Sequence, residues 1–361
     1  MKRVGDFVLV KEIGRGSFST VYLGKHVENG VNVAVKVIKK GENNEELSEW
    51  ELLKQISHPF ISQFYEKIED EENTYLVMEY LEEGNLLNYV NNNGCLDEAV
   101  AQKFFFQMIS AIDYLHNEAK IVHRDIKCEN VLIDKHGNIR LIDFGLSKSC
   151  YPTCLFKTAC GSPAYLSPEV ISGNHYTSST DIWAIGVVLY AIMTGHLPFE
   201  DNNENKLLNK IQVNQVIYPS SIPMIAVDLL SKMFKKNPNE RIDIKSIIEH
   251  PWFQKESYLK VGEIAFANQT KDNPSFIEIF QNREKLMRDI NEYFRGGMLR
   301  KPFQRRPSVP VIVPFIKNRI NKMQKANNDH LLETKLEKDS LVLFSRMRRY
   351  TKPSVYVKAM G

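Results

Sequence analysis

The hydrophobic rhythm of this chain changes once, near Asn85, and that change limits the folds open to it. Before it, VKEIGRGSFSTVYLGKHV carries two β-rich runs joined by a glycine-rich turn, VNVAVKVI alternates apolar residues with others, and TYLVMEYL reads as a short buried strand. Leu47, Trp50, Leu53 and Ile56 recur at three-residue steps and predict one helix among these strands. After Asn85, VAQKFFFQMISAIDYLHNEA predicts a long amphipathic helix, and STDIWAIGVVLYAIMTG, apolar nearly all round, predicts a core helix. IAVDLLSKMF and IDIKSIIEH predict shorter helices, each behind a Pro-containing turn. A twisted antiparallel sheet with one helix, followed by a larger helical lobe, is an α+β architecture with a cleft between its lobes. No internal repeat is visible.

Composition excludes several classes. Of 361 residues, 43% are hydrophobic and 25% charged, which is ordinary globular usage. Five cysteines leave one over and do not make a disulfide scaffold. The longest apolar run, Ile182 to Met193, is shorter than the ~20 residues a spanning helix needs, so no transmembrane segment is expected. MKRVGDFVLV lacks the apolar core of a secretory signal, so a cytoplasmic location is expected, with nuclear access open. Charge is divided unevenly: residues 1–253 hold 25 Lys and Arg against 33 Asp and Glu, and residues 254–361 hold 22 against 11. A boundary is therefore expected near Phe253, giving a small lobe over 1–80, a larger lobe over 81–253, and a basic extension over 254–361, partly helical and largely disordered.

Single motifs leave their readings open. GRGSFS (Gly14 to Ser19) is a glycine-rich turn that continues into a strand, TVYLG, instead of entering a helix as a dinucleotide fingerprint does. Such a flap lets backbone N–H groups approach phosphate oxygens, but an ordinary hairpin turn fits as well. Lys36 ends the apolar strand VAVK and needs a partner such as Glu49, unless it snorkels at the surface. IVHRDIKCENVLI is more demanding. It sets His123, Arg124, Asp125, Lys127, Glu129 and Asn130 between apolar segments, and a charged ligand would satisfy that many polar groups. Asp143 follows Asn130 by thirteen residues in LIDFG, and the two offer oxygen to hard cations while Asp125 remains as a base.

Taken in order, GRGSFSTVYLG, VAVK, HRDIKCEN, DFG and SPE resemble a eukaryotic protein kinase over about residues 5–253. The resemblance implies a bilobal kinase fold with a small β-rich N-lobe and a larger helical C-lobe, and ATP and Mg²⁺ as cofactors. It implies a flap of Ile13, Gly14, Arg15, Gly16, Ser17, Phe18 and Ser19 over the ATP phosphates, with Ser19 in place of the third glycine. Lys36, paired to Glu49, would hold the α- and β-phosphates. Asp125 would orient the substrate hydroxyl and accept its proton, Lys127 would steady the γ-phosphate, and Asn130 and Asp143 would bind two magnesium ions. Adenine would sit between Val21, Ala34 and Leu132, hydrogen-bonded to backbone near Glu79 and Leu81, with Met78 behind. Leu53, Phe64, His123 and Phe144 would form an apolar stack anchored by Asp181, and Glu169 and Arg241 a buried ion pair.

Lys127 and Ser162 match the pattern of Ser/Thr kinases, and FKTACGSPAYLSPE resembles the activation segment of the AMP-activated and sucrose-nonfermenting branch of the calcium/calmodulin-dependent kinase group. Thr158 stands at that branch's activating phosphothreonine, which implies an upstream kinase, and Arg124 and Lys148 would receive the phosphate. Protein substrates with basic residues before the phosphoacceptor are expected, with Glu129 as a contact. Asn85 stands where basophilic relatives carry Glu. Cys150, Cys154 and Cys160 do not have zinc spacing. SFIEIFQNREKLMRDINEYF is expected to form an amphipathic helix, and the basic tail beyond it is a candidate for intramolecular docking on the acidic kinase block. VIVPFIKNRINKMQKA mixes apolar and basic residues as calmodulin targets do, although Pro314 interrupts it. No nucleic-acid partner is expected. The rival readings are a pseudokinase and a small-molecule kinase. Lys36, Asp125 and Asp143 weigh against the first, and SPE with Ser162 against the second.

Overall fold

The computed structural model describes residues 2–15, 19–40, 49–144, 148–149, 163–174, 176–253, 260–261, 263–265 and 275–297. All belong to the first of two compact units, Met1–Ile312, and the second, Val313–Gly361, lies outside the described residues.

Six strands form one antiparallel sheet: β1 (Arg3–Val4), β2 (Phe7–Arg15), β3 (Ser19–His26), β4 (Asn32–Lys39), β5 (Phe64–Glu69) and β6 (Asn73–Glu79), in the order β1-β2-β3-β4-β6-β5. Alternation in β4 assigns its faces. Val33 and Val35 are buried in a cluster with Phe7, Leu9, Tyr65, Tyr75 and Val77. Ala34 and Lys36 take the opposite face, where the register sets Ala34 beside Leu23 and Met78, and Lys36 beside Val21 and Leu76. The helix α1 (Glu49–Gln55) follows β4, as the three-residue spacing predicts.

The sheet gives way to helices α2 (Leu86–Asn93) and α3 (Glu98–Asp113) where the rhythm changes. The helix α3 differs from the amphipathic reading, because ten of its residues, from Ala101 to Ile112, are buried. Aromatic side chains cover it from several elements: Trp252 and Phe253 against Phe105, and Phe253 and Phe294 against Phe106. After a π turn at Tyr114–Glu118 come β7 (Ile121–Val122), β8 (Val131–Ile133), β9 (Ile139–Leu141) and β10 (Lys148–Ser149), with β8 paired to β9 and β7 to β10. A short helix α4 (Pro168–Ile171) precedes α5 (Ser178–Thr194). The helix α5 is buried from Thr180 through Met193, begins in a capping box of Thr177 and Thr180 and stops at Gly195, whose φ of 77° suits glycine. Helices α6 (Glu204–Val213), α7 (Met224–Met233) and α8 (Ile244–Ile248) complete the helical body.

A further helix, α9 (Phe276–Gly297), lies beyond Phe253. Ser275 and Glu278 open it with reciprocal side-chain to backbone hydrogen bonds of 2.8 and 3.4 Å. Phe276 packs on the sheet through Phe7, His26 and Tyr65, and Phe294 packs on Phe106 of α3. The helix therefore touches both the sheet and the helical body.

Candidate functional site

The segment from His123 to Asn130 is held from beneath by one buried carboxylate. Asp181, in the first turn of α5 and 1% exposed, accepts the backbone N–H of His123 (2.9 Å) and of Arg124 (3.0 Å), and pairs with His116 Nε2 (2.8 Å). Burial works against its charge, but His116 and the Arg124 N–H outweigh that and keep it below the usual carboxylate range. Arg124 has a φ of 71°, left-handed backbone that an L-residue adopts at a cost of ~1–3 kcal/mol. The Asp181 bonds hold that conformation, which aims the next residue, Asp125.

Asp125 Oδ2 accepts from Lys127 Nζ at 2.6 Å and from Asn130 Nδ2 at 2.9 Å. The same Asn130 nitrogen reaches the Asp125 backbone oxygen at 2.9 Å. With its amide nitrogen committed to Asp125, Asn130 presents Oδ1 as an oxygen donor. Asn130 O also accepts from Ile142 N at 3.0 Å, which brings the Asp143 segment alongside. Asp143 has a φ of 66°, and its Oδ1 lies 3.9 Å from Lys36 Nζ, reaching across from β4. Thus Lys36, Asp125, Lys127, Asn130 and Asp143, spread over more than a hundred residues, converge. Such concentrated backbone strain beside converging charges is a mark of a functional site.

Asn130 and Asp143 supply the hard oxygen ligands that magnesium takes. Among the described residues, no group of three or more His, Cys, Asp or Glu side chains could hold a metal by itself.

Above this cluster the sheet offers an apolar face that the chain leaves partly open. Val21, Ala34, Met78 and Leu132 are half-buried and Ile13 is exposed, while Leu81 is buried. At Gly14 an added Cβ would meet only Val21, at an ordinary 3.8 Å, so packing does not demand glycine there. Gly16, Ser17, Phe18, Thr158, Ser162, Cys150, Cys154, Cys160 and the Glu49 side chain lie outside the described residues, as does the tail beyond Gly297. Of the apolar stack, Leu53, Phe64, His123 and Phe144 are all buried, and the His123 and Phe144 rings are 5.0 Å apart. Burial depresses the His123 pKa although Asp181 and Asp125 oppose it, and its Nε2 is 3.2 Å from Ile142 O. These surroundings give it a packing role.

Glu129 is half-buried, its Oε2 has no hydrogen-bond partner among the described residues, and desolvation raises its pKa. A buried carboxylate oxygen without a donor suits a cationic side chain from outside. Asn85 is committed otherwise: its Oδ1 caps α2 by accepting Asn88 N at 2.9 Å. Arg241 grips Glu169 through two bonds of 2.7 and 2.8 Å and lies 5.1 Å from the Trp183 ring, the buried pair the sequence implies.

One functional neighbour escaped the sequence reading. The Glu79 side chain lies on the sheet face opposite Ala34 and Met78, where Arg283 of α9 reaches its Oε2 at 3.0 Å and Arg140 Nε its Oε1 at 3.4 Å. The available signal was an arginine on the apolar stripe Phe276, Phe280, Met287, Ile290, Phe294, because charge on a buried stripe implies a buried partner.

The family model of the protein kinase domain matches residues 7–253. The SNF1-related protein kinase catalytic subunit alpha KIN12 of Arabidopsis thaliana is 40% identical over 285 residues, 77% of this chain and 57% of that protein. The probable serine/threonine-protein kinase MARK-A of Dictyostelium discoideum is 38% identical over 291 residues, 79% of this chain and 27% of that protein. The chain thus spans less than two thirds of either relative.

Proposed function

Because the chain belongs to the protein kinase family, we propose that it is a serine/threonine protein kinase that transfers the γ-phosphoryl group of ATP to a hydroxyl of protein substrates. The observation that carries this reading is the convergence of Lys36, Asp125, Lys127, Asn130 and Asp143, with Asp125 Oδ2 held by Lys127 and Asn130. In outline, adenine rests on the apolar face of Val21, Ala34 and Leu132, bonds to backbone at Glu79 and Leu81, and has Met78 behind it. The flap from Ile13 to Ser19 covers the phosphates with backbone N–H groups. Lys36, set by its strand register, holds the α- and β-phosphates, and its pairing with Glu49 belongs to the active state.

Asp125 orients the incoming serine or threonine hydroxyl and takes its proton as the oxygen attacks phosphorus. Lys127, 2.6 Å from the Asp125 carboxylate, is placed to accompany the γ-phosphoryl group as negative charge spreads over it. Asn130 and Asp143 would hold magnesium, which would supply neutralisation of the phosphates' charge. The protein's contribution is mainly alignment and electrostatics, which is why rigid anchoring by Asp181 matters.

Several finer features belong to this proposal. Ser162 and Lys127 support Ser/Thr over Tyr specificity. Glu129, with an unfilled carboxylate oxygen, supports basic residues before the phosphoacceptor. Thr158 is the regulatory phosphosite of an upstream kinase, and Arg124, whose guanidinium lies 4.7 Å from the Tyr176 ring, is one receiver of its phosphate. A cytoplasmic location is part of this proposal; separately, among the described residues no helix is long and apolar enough to cross a membrane. The test uses the full chain with ATP, Mg²⁺ and basic peptides offering Ser, Thr or Tyr. Phosphate transfer to Ser or Thr, lost in Asp125→Asn, is expected. Nucleotide binding without transfer, identical in Asp125→Asn, would make the chain a scaffold and refute the proposal.

A further inference from the structure

Arg283 is the most committed side chain of α9. Its side chain is 5% exposed, Nη1 donates to His58 O at 2.8 Å, and the two Nη2 hydrogens are shared among Pro59 O at 2.9 Å, Ile61 O at 2.6 Å and Glu79 Oε2 at 3.0 Å. Three of these acceptors lie in the loop that follows α1. The fourth ends β6, where the sheet connects to the helical body. Arginine suits this task because its planar fork addresses several acceptors from one position.

Both ends of α9 are fastened. At its start, the Phe276 ring stacks on His26 (4.9 Å) and meets Tyr65 edge-on (5.0 Å), both on the sheet. Near its end, Phe294 meets Phe106 of α3 at 5.9 Å, and Asn291 Oδ1 accepts from Asn138 Nδ2 of the β8–β9 hairpin at 2.5 Å. Arg283 sits between these anchors. Glu79 Oε2 also accepts Gln63 N at 3.1 Å, and Arg140 Nη2 continues to Asp134 Oδ2 at 3.0 Å. The network thus joins the sheet, the loop after α1, and the β8–β9 hairpin, behind the strand end whose backbone faces adenine in the reading above.

We propose that Arg283 is a positioning residue for nucleotide binding: by clamping Glu79 together with the carbonyls of His58, Pro59 and Ile61, it fixes the backbone from Glu79 to Leu81 and thereby sets affinity for ATP. This rests on the nucleotide-site reading above. The physical basis is a population effect. A connector that samples other conformations binds adenine only in the competent fraction, and apparent affinity falls by that fraction. Removing Arg283 leaves Glu79 with Arg140 as its remaining cation and frees the three loop carbonyls.

The experiment measures binding of a non-hydrolysable ATP analogue with Mg²⁺ to the full chain, KM for ATP and kcat on a basic peptide, all far below the melting temperature. Arg283→Met is expected to raise the Kd and KM for nucleotide about tenfold, with kcat at saturating ATP within about twofold. Amide hydrogen exchange over residues 79–82 is expected to quicken. Phe294→Ala loosens the far anchor and leaves the Arg283 contacts in place. It is expected to lower the melting temperature with Kd unchanged. If Arg283→Met does not fold, Glu79→Gln, which keeps an acceptor for Gln63 N and loses the charge, is read the same way. Unchanged Kd in folded Arg283→Met, or in Glu79→Gln as its substitute, overturns the assignment. So does an equal loss in Phe294→Ala, which would make the effect one of general stability. A wild-type chain that binds no nucleotide overturns the site reading and this assignment with it, whereas a binding-competent wild type with an indifferent Arg283→Met overturns this assignment alone.

Discussion

Replacing Asp181 with asparagine tests how the catalytic segment is held. The change is nearly isosteric, but it removes a buried charge and sets an NH₂ group where one oxygen stood. The two oxygens now serve three donors: His123 N and His116 Nε2 on Oδ2, and Arg124 N on Oδ1. In the variant at least one buried N–H must face another donor. Hydrogen bonds to a charged group contribute about 1.5–3 kcal/mol and an unmet buried donor costs about 1–3 kcal/mol, so a loss of about 3 kcal/mol is expected. At about 2–4 °C per kcal/mol for a domain of 150–250 residues, melting should fall by about 6–12 °C. Activity should fall for a separate reason. Arg124, at φ 71°, is kept in left-handed backbone by its bond to Asp181, and relaxation there moves Asp125, its neighbour. A shift near 1 Å at a reacting group costs about 10²-fold, so kcat should drop at least about tenfold. KM for ATP should stay within about twofold, because most of the adenine contacts and the Lys36 contact come from the sheet. Thermal unfolding by circular dichroism and steady-state kinetics at low temperature read the two effects separately. Lower stability with an unaltered kcat would show that the segment holds its geometry without this anchor, and would refute the reasoning.

Other perturbations follow from the same structure. Glu129→Gln should reduce kcat/KM about tenfold for a peptide with arginine before the phosphoacceptor and leave a peptide without basic residues unaffected, as a peptide array would report. Arg241→Met should cost about 3–5 kcal/mol in chemical denaturation by stranding buried Glu169, and adding Glu169→Met should recover much of it. His58 gives a pH signature. Burial, reinforced by Arg283 and Arg140, holds its pKa near about 3. The unfolded chain takes up a proton near pH ~6.5 that the folded chain refuses, so this contribution is intact above that pH and is lost as pH falls toward 3. In His58→Gln, urea-measured stability between pH 6.5 and 4 should fall less steeply, by up to about 1.4 kcal/mol per pH unit. Identical slopes would exclude His58 as a source of acid sensitivity.

Local patterns in the chain carried much of the architecture. Alternation in VNVAVKVI gave the strand, and the register of the sheet then set the face on which Lys36 lies, because side chains on a strand change sides at each residue. The all-round apolar STDIWAIGVVLYAIMTG is the buried helix α5 for an equally local reason. The polar density of HRDIKCEN pointed to the segment that the fold arranges around Asp125. The reading of α3 fell short, since Phe105 and Phe106 are covered by Trp252, Phe253 and Phe294 and Lys103 lies 5.2 Å from the Phe294 ring, all contacts with residues far along the chain. Asn85 illustrates another limit. A residue identity at a specificity position does not reveal that its side chain caps a helix.

The sequence by itself determined the longer elements, among them β4, α3, α5 and α9, and, through its resemblance to protein kinases, named the side chains proposed for phosphoryl transfer, because periodicity and residue type act over a few neighbours. Only the tertiary structure decided the partners of the buried charges. Glu79 and Arg283 are 204 residues apart, and neither position displays the other in its local pattern. They meet because an amphipathic helix must bury its apolar stripe, and an arginine carried into that interface is retained only where oxygens await it.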